Sequence, residues 1–346
     1  PLVHLPFEMS REGNGHHPFF RNKLLWIGFG LSAGVNLING TSYLFPSLPQ
    51  IPLGYNLSVY FTERPFSAMG HVPIQFNPFA IGLAFAIPLD LLFSCWFFFL
   101  FWKAEQVVGS MAGMNQPGYP FVAQQILGGY LGIAIVALWL ARKPIWQLIK
   151  KVLRARSDVD NSGEPMEYRT AVLGIILGIS FLVFFSYRAG MTIRFALAFF
   201  GVYFAIAFAH TRARAELGPP MHGIHYFGPF QLFVAAVGSR KLANQTLIAA
   251  APLWTFTKQF RNHPMPYILE SFKLADKSGM DTRKLGRVIM LSVVVSLILT
   301  CWTFLQFSYK WGGISEGRGI EAYTTIGRWL VRPIEPDIQS LGAMAV

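Results

Sequence analysis

Charged residues are scarce in this sequence: Asp, Glu, Lys and Arg make up only 13% of its 346 residues. Soluble domains carry about a quarter of such residues, so the composition argues against a chain of two or three soluble domains. Cysteine is rarer still. Cys95 and Cys301 are the only two, and both lie within apolar runs far apart in the sequence, which argues against a disulfide framework or a cysteine metal site.

Acidic residues are the minority among these few charges. Asp and Glu number 17 against 29 Lys and Arg, which gives a net charge of +12. A basic balance can indicate nucleic acid, but an apolar chain has a simpler reason for it. Cytoplasmic loops of membrane proteins carry an excess of Lys and Arg. We therefore expect no nucleic-acid partner.

Long apolar runs are what the sequence has in abundance. Hydrophobic residues make up 53% of the chain, and Phe alone supplies 32 residues. A bilayer core requires about 20 mostly apolar residues per helix. The runs that meet or approach this length are residues 24–45, 79–102, 122–141, 170–187, 191–211 and 288–307. They predict an all-α fold, a polytopic transmembrane helix bundle with re-entrant or interfacial segments.

The chain is predicted to form one transmembrane domain over residues 1–346 and to be a fragment of a longer protein. It begins at Pro1 without a Met and stops at Val346, where a helix-like segment has just begun. Basic residues cluster between the third and fourth spans and again after the fifth, which predicts that both regions are cytoplasmic. Counting back three spans from there places Pro1 outside.

Two long regions do not cross the membrane cleanly. Residues 46–78 are rich in Pro and Gly, which predicts a structured connection or a re-entrant loop. Residues 212–287 form a mixed cytoplasmic or re-entrant region. Within it, residues 230–237 and 247–256 are apolar but too short to cross, so they are candidates for re-entrant or interfacial segments. Residues 266–277 fit a helix lying at the headgroup level.

Asp90 is the sharpest functional candidate. It lies at the centre of the predicted second span, two residues after Pro88, whose ring removes a backbone hydrogen bond. A carboxylate at the bilayer centre costs on the order of 3 kcal/mol on insertion scales, so it should face a partner or a water-filled cavity. Asp90 is therefore either a cation, proton or substrate site, or a structural carboxyl group that is protonated or paired.

Further polar side chains are candidates to line the same cavity. Asn77 precedes Pro78 at the entry to the second span, and interrupted helices are how transporters expose backbone polar groups to a substrate. Asn36, followed by Asn39, lies on a stripe of small residues in the first span, and Gln125 begins the third. The alternative interpretation is plain helix packing, which small residues favour in membranes.

A second polar patch follows the fifth span. Arg212 and Glu216 are four residues apart and can pair on one helix face, and residues 218–220 (Gly-Pro-Pro) then end that helix. His222 and His225 come next. A zinc site requires three or four ligands at defined spacing, and the sequence has no such motif, so no metal is predicted. We interpret Arg212, Glu216 and His222 as a gate at the cytoplasmic mouth of the cavity; charge pairing and headgroup contacts are the alternative.

Four stretches of the sequence together resemble a known family. Residues 1–9, 77–90, 212–222 and 265–270 resemble a family of bacterial polytopic membrane proteins of unknown function, over nearly the whole chain. Residues 77–90 are also similar to spans of the oligopeptide transporter superfamily. The resemblance implies a multi-pass protein of the bacterial inner membrane. It implies no residue roles, because none is established for the family.

These observations lead to a function hypothesis with alternatives. The chain is interpreted as part of an integral membrane permease that moves a small solute or peptide-like substrate, with proton coupling through Asp90. The alternatives are a membrane-embedded enzyme acting on a lipid-linked substrate, with Glu216, His222 and His225 at the interface, or a non-catalytic membrane scaffold. No catalytic residue and no cofactor is predicted. The expected partners are membrane lipids and a small solute, and the oligomeric state stays open.

Overall fold

The computed structural model describes residues 7, 21–85, 87–114, 116, 118–153, 164–218, 227–258, 263–312 and 317–345. Most of these residues are helical, so the all-α prediction is confirmed. The chain divides into two compact units. The first unit comprises residues 1–122 and 214–220, and the second comprises residues 123–213 and 221–346.

The first unit combines helices with a small antiparallel sheet. Its elements are α1 (Lys23–Leu44), β1 (Gly54–Asn56), β2 (Pro73–Gln75), α2 (Pro78–Ala84) and α3 (Leu89–Met111). In the sheet, Tyr55 lies opposite Ile74. Two 3-10 turns, Leu57–Tyr60 and Phe66–Met69, separate the strands.

Asparagine side chains hold the loop of the first unit in place. The Asn39 amide donates to the carbonyl of Ile51 at 3.0 Å, and its oxygen accepts from the N–H of Ile51 at 2.8 Å. The Asn56 oxygen accepts from the N–H groups of Ser58 and Val72. These bonds satisfy main-chain groups that the two short strands leave unpaired, because a loop has no ladder of its own.

The second unit contains the remaining helices, apart from the ends of two of them. These helices are α4 (Val122–Leu140), α5 (Arg142–Leu153), α6 (Tyr168–Arg188), α7 (Ile193–Leu217), α8 (Pro229–Val237), α9 (Asn244–Lys258), α10 (Pro264–Ser278), α11 (Thr282–Trp311), α12 (Gly317–Val331) and α13 (Ile338–Ala343). The first residue of α4 and the last four residues of α7 belong to the first unit. Gly312, with φ +77°, ends α11, and Gly279, with φ +67°, ends α10 in the left-handed conformation that glycine adopts readily.

The core of the second unit forms where α7, α8, α9 and α12 meet. Its buried residues include Phe199 of α7, Phe230 of α8, Leu247 of α9 and Ile326 of α12. Each is at most 2% exposed. Residues 230–237 and 247–256, which the sequence predicts to be too short to cross a membrane, thus belong to helices that contribute to this core.

Six helices of the described chain are long and apolar enough to cross a membrane: α1, α3, α4, α6, α7 and α11. Their burial differs widely. Half of the most apolar 18-residue window of α7 is buried, whereas the corresponding windows of α1 and α11 contain no buried residue. Apolar helices that bury nothing in their own chain are stable where lipid or another apolar partner surrounds them.

Candidate functional site

The predicted second span, residues 79–102, differs from the structure because it is divided. Asn77 caps α2 by accepting from the N–H of Phe79 at 3.0 Å, and Pro78 fills the first helical position. This helix ends after seven residues, at Ala84. A new helix, α3, begins only at Leu89, since Pro88 disfavours helical geometry in the residue before it.

Asp90 lies in the first turn of α3, directly after this break, rather than in the middle of a continuous helix. The residue is exposed. Within the part of the chain that the structure describes, its carboxylate makes no hydrogen bond or ion pair; the Ser94 hydroxyl bonds the Asp90 main-chain carbonyl instead, at 2.8 Å. The positive end of the helix dipole favours a negative charge at this position.

A shallow groove lies beside the Asp90 carboxylate. Its described walls come from α3 alone and are apolar apart from Asp90 and Ser94; they include Phe93 and Trp96. A carboxylate on an otherwise apolar surface is costly in lipid, so it requires either water or a polar group opposite it.

Lys103, farther along α3 than Asp90, is the buried charged residue of this helix. The Lys103 side chain is 4% exposed; its Nζ donates to the carbonyl of Met69 at 2.7 Å and lies 4.1 Å from the centre of the Trp102 ring. Thirteen residues of helix separate Lys103 from Asp90, or about 20 Å along the axis.

The other predicted site residues are distributed over both units. Asn36 is exposed, and its amide donates to the carbonyl of Ser32 at 2.9 Å, one helical turn away. Glu216 is exposed near the end of α7. In the second unit, Gln125 and Arg212 are half-buried, on α4 and α7. His222 and His225 lie outside the described residues.

Two pairs of a tyrosine and a histidine within the second unit are not among the predicted site residues. His210, 1% exposed, stacks on Tyr130 with ring centres 5.7 Å apart. Nearby along α7, the ring of Tyr203 lies 6.0 Å from that of His263. The available signal was a histidine near the end of an apolar span, where an ionisable residue is a functional candidate.

His263 itself has a structural task. Its Nδ1 accepts from the N–H of Met265 at 3.3 Å and so caps α10. Burial lowers the pKa of His263, which favours the neutral ring that this hydrogen bond requires. Among the described residues, no group of three or more His, Cys, Asp or Glu side chains is arranged to hold a metal ion.

The helices define the class first: a multi-pass membrane protein of all-α fold. The chain belongs to DUF6785, a family of unknown function that matches residues 1–346. The predicted membership of a family of unknown function is thereby confirmed. No curated protein and no solved structure matches the chain.

Proposed function

We propose that the chain is part of an integral membrane permease of the bacterial inner membrane, which moves a small solute or peptide-like substrate and couples that movement to protons through Asp90. The peptide-like class is part of this proposal and follows from the resemblance to oligopeptide transporter spans that the sequence of residues 77–90 predicts. The observation that carries the proposal is the break between α2 and α3, with the Asp90 carboxylate directly behind it.

Backbone without helical hydrogen bonds is tolerated at membrane depth only where it is buried in protein or lines a water-filled cavity. The helix α2 ends at Ala84, and α3 begins at Leu89. Transporters of several folds bind substrate and coupling ions at such discontinuities, near half-helix ends. A carboxylate that has no partner among the described residues is a suitable group to take up and release a proton there.

The remaining candidates extend the same hypothesis. Asn36, Asn77 and Gln125 would line the substrate route, and Arg212, Glu216 and His222 would form its cytoplasmic mouth. Amide side chains suit a peptide-like substrate, because each offers both a donor and an acceptor.

Reconstituted vesicles test this proposal directly. The full chain is placed in proteoliposomes that contain the pH-sensitive dye pyranine, and trialanine or another short peptide from a panel is added outside. We expect peptide-dependent acidification with the unmodified chain and a loss of this signal with Asp90→Asn. Asp276→Asn is the matched control, since Asp276 pairs with Lys273 at 2.9 Å on α10, well outside the spans.

Two results would count against the proposal. Peptide uptake that continues at the same rate with Asp90→Asn and without a pH gradient would exclude proton coupling through this residue. The absence of uptake for every peptide in the panel would exclude the peptide-like substrate class.

A further inference from the structure

A small polar cavity lies at the C-terminal end of α3, within the first unit. Its volume is about 240 Å³, and it is lined chiefly by polar side chains: Arg64, Ser67, Gln106, Ser110, Gln116 and Tyr119. Sites for drug-sized ligands begin at about 300 Å³, so this one suits a small group. Asp90 is 20 residues of helix away from Ser110, or about 30 Å, so the cavity is separate from the proposed permease site.

Two close contacts hold the cavity walls together. The turn Phe66–Met69 is tied to α3 because Lys103 Nζ donates to the Met69 carbonyl. On the other side, the Tyr119 ring lies so close to Gly109 that any side chain at that position would overlap it. These two contacts fix the positions of the residues that line the cavity.

Arg64 is the one charged side chain among the described residues that line the cavity, so the charge of its wall is positive. The exposed Arg64 guanidinium makes no ion pair within the described ranges, and Lys103 is bonded only to neutral oxygens, the Met69 carbonyl and Gln106 Oε1 at 3.3 Å. No described carboxylate lines the cavity; Glu63 and Glu105 are neighbours in sequence but are not part of its wall.

Donors outnumber acceptors among the lining groups. Since Gln106 Oε1 accepts from Lys103, the amide NH₂ of Gln106 is left to face a ligand. The hydroxyls of Ser67 and Ser110 add two more donors, beside the five N–H groups of Arg64. A planar guanidinium together with hydroxyl and amide donors is the arrangement that binds phosphate oxygens.

From this arrangement we propose that the cavity binds a phosphate-type oxyanion, carried either by a phospholipid headgroup or by a free phosphate compound. Both sources present the same tetrahedral anion. The cavity holds the anion and a short substituent, which fits a headgroup at the membrane surface as well as a soluble phosphate.

Binding measurements on the purified full chain test the site. Native mass spectrometry compares retention of phosphatidylglycerol with retention of phosphatidylcholine, and thermal shift with inorganic phosphate examines the soluble source. We expect Arg64→Gln to weaken binding about tenfold, as loss of one charge-assisted contact does. Ser110→Asp, which places a carboxylate in the cavity, should weaken it at least as much.

Arg188→Gln is the matched control, because Arg188 is an exposed arginine at the end of α6 that does not line the cavity. Retention of phosphatidylglycerol alone identifies a lipid headgroup, and a shift with inorganic phosphate identifies the free anion. The proposal is overturned if neither probe binds, or if Arg188→Gln weakens binding as much as Arg64→Gln. Circular dichroism of each variant without ligand shows that the fold is intact.

Discussion

Single polar residues in and beside the apolar helices bind mainly to the main chain. Asn36 bonds the carbonyl of Ser32, Asn39 bonds both main-chain groups of Ile51, and Asn77 caps α2. Buried or lipid-facing polar groups are costly unless they are hydrogen-bonded, so these local bonds let the residues remain in apolar surroundings. Asp90 differs, because no described side chain satisfies its carboxylate.

We expect Asn39→Ala to destabilise the first unit. It removes two hydrogen bonds that span 12 residues of sequence, which together are worth roughly 1–3 kcal/mol. Asn36→Ala is the control, because Asn36 bonds only a carbonyl within its own helix. This substitution should lower the free energy of unfolding by only a small fraction of that amount. Apparent Tm in detergent measures both. An equal loss for the two variants would contradict the proposed role of Asn39.

His263 predicts a dependence of stability on pH. Burial lowers its pKa in the folded protein below the usual 6.5, so the unfolded chain binds more protons between the two values. The stability from the neutral cap is therefore complete above pH 6.5 and is lost as pH falls below it. Apparent Tm should fall on acidification from about pH 7.5 to 5.5.

The control for this prediction is His263→Asn. Asparagine also caps helices but does not titrate, so the fall in Tm should be smaller in that variant. An identical pH profile for the two proteins would assign the effect to other groups.

The sequence predicts the local structural roles of these residues better than their contacts with distant parts of the chain. Asn77 before Pro78 indicates a helix start, because both residues favour that position locally. The pairing of Asn39 with Ile51 and the stacking of Tyr130 on His210 depend on how the chain folds back, which no local pattern encodes.

Among the elements, the segment that follows α12 is held by a close backbone approach. Met344 lies against Gly128 of α4 so tightly that a methyl group at Gly128 would overlap its carbonyl. Two further bonds fix the segment: Asp337 N–H donates to the carbonyl of Ala235, and Gln124 donates to the Ser340 hydroxyl at 3.2 Å. The helix α13 thus packs on α8 and α4 of its own unit.

Gly128→Ala should release this segment. The added methyl group forces the Met344 backbone away from α4, which we expect to cost about 1–3 kcal/mol, as overpacking does. Gly129→Ala is the matched control in the same helix, because nothing lies within 4 Å of a side chain at that position. Limited proteolysis after residue 332 should accelerate in Gly128→Ala only; equal protection of both variants would contradict the prediction.

Element boundaries could be predicted only in part. Apolar length predicts the bounds of α1, α4 and α6 to within two residues, because a bilayer span has a defined length. The helices α7 and α11 extend beyond the predicted spans by up to six residues at an end, because their polar terminal turns are helical as well. Pro88 indicates the break between α2 and α3. The apolar sequence on both sides of it does not reveal that α2 has only seven residues or that α3 continues to Met111. The predicted span stops at residue 102, before the charged Lys103, because the contacts of Lys103 with Met69 and Trp102 are not visible in the sequence.

Within the first unit, a series of contacts links the C-terminal part of α1 to the C-terminal part of α3. Asn39 binds Ile51, β1 pairs with β2, and Met69 binds Lys103. Irregular backbone exposed to lipid does not cross a bilayer, so this connection belongs on one side. We therefore expect both helices to end on that side, and α3 begins, at Leu89, about 20 Å along its axis from Lys103.

This arrangement predicts an orientation that differs from counting spans in the sequence. Lys23 begins α1 on the side opposite to Tyr55 and Met114, and the positive-inside rule favours the cytoplasm for Arg21 and Lys23. With Cys95 and Cys301 replaced, Tyr55→Cys and Met114→Cys should react with an impermeant maleimide outside, and Lys23→Cys should not. If the external maleimide labelled Lys23→Cys but not Tyr55→Cys, the result would favour the orientation with Pro1 outside, which counting spans in the sequence predicts.

Two of the six long helices depend on their surroundings in a way that the others do not. No residue of α1 or α11 is buried, and the 30 residues of α11 extend about 45 Å, beyond a hydrocarbon core of about 30 Å. Their tilt and depth therefore follow the thickness of whatever encloses them. Solubilisation exchanges nearly every neighbour of these two helices while leaving the aromatic core around Phe199 unchanged, so a sample with intact circular dichroism can already have lost its native arrangement at the periphery.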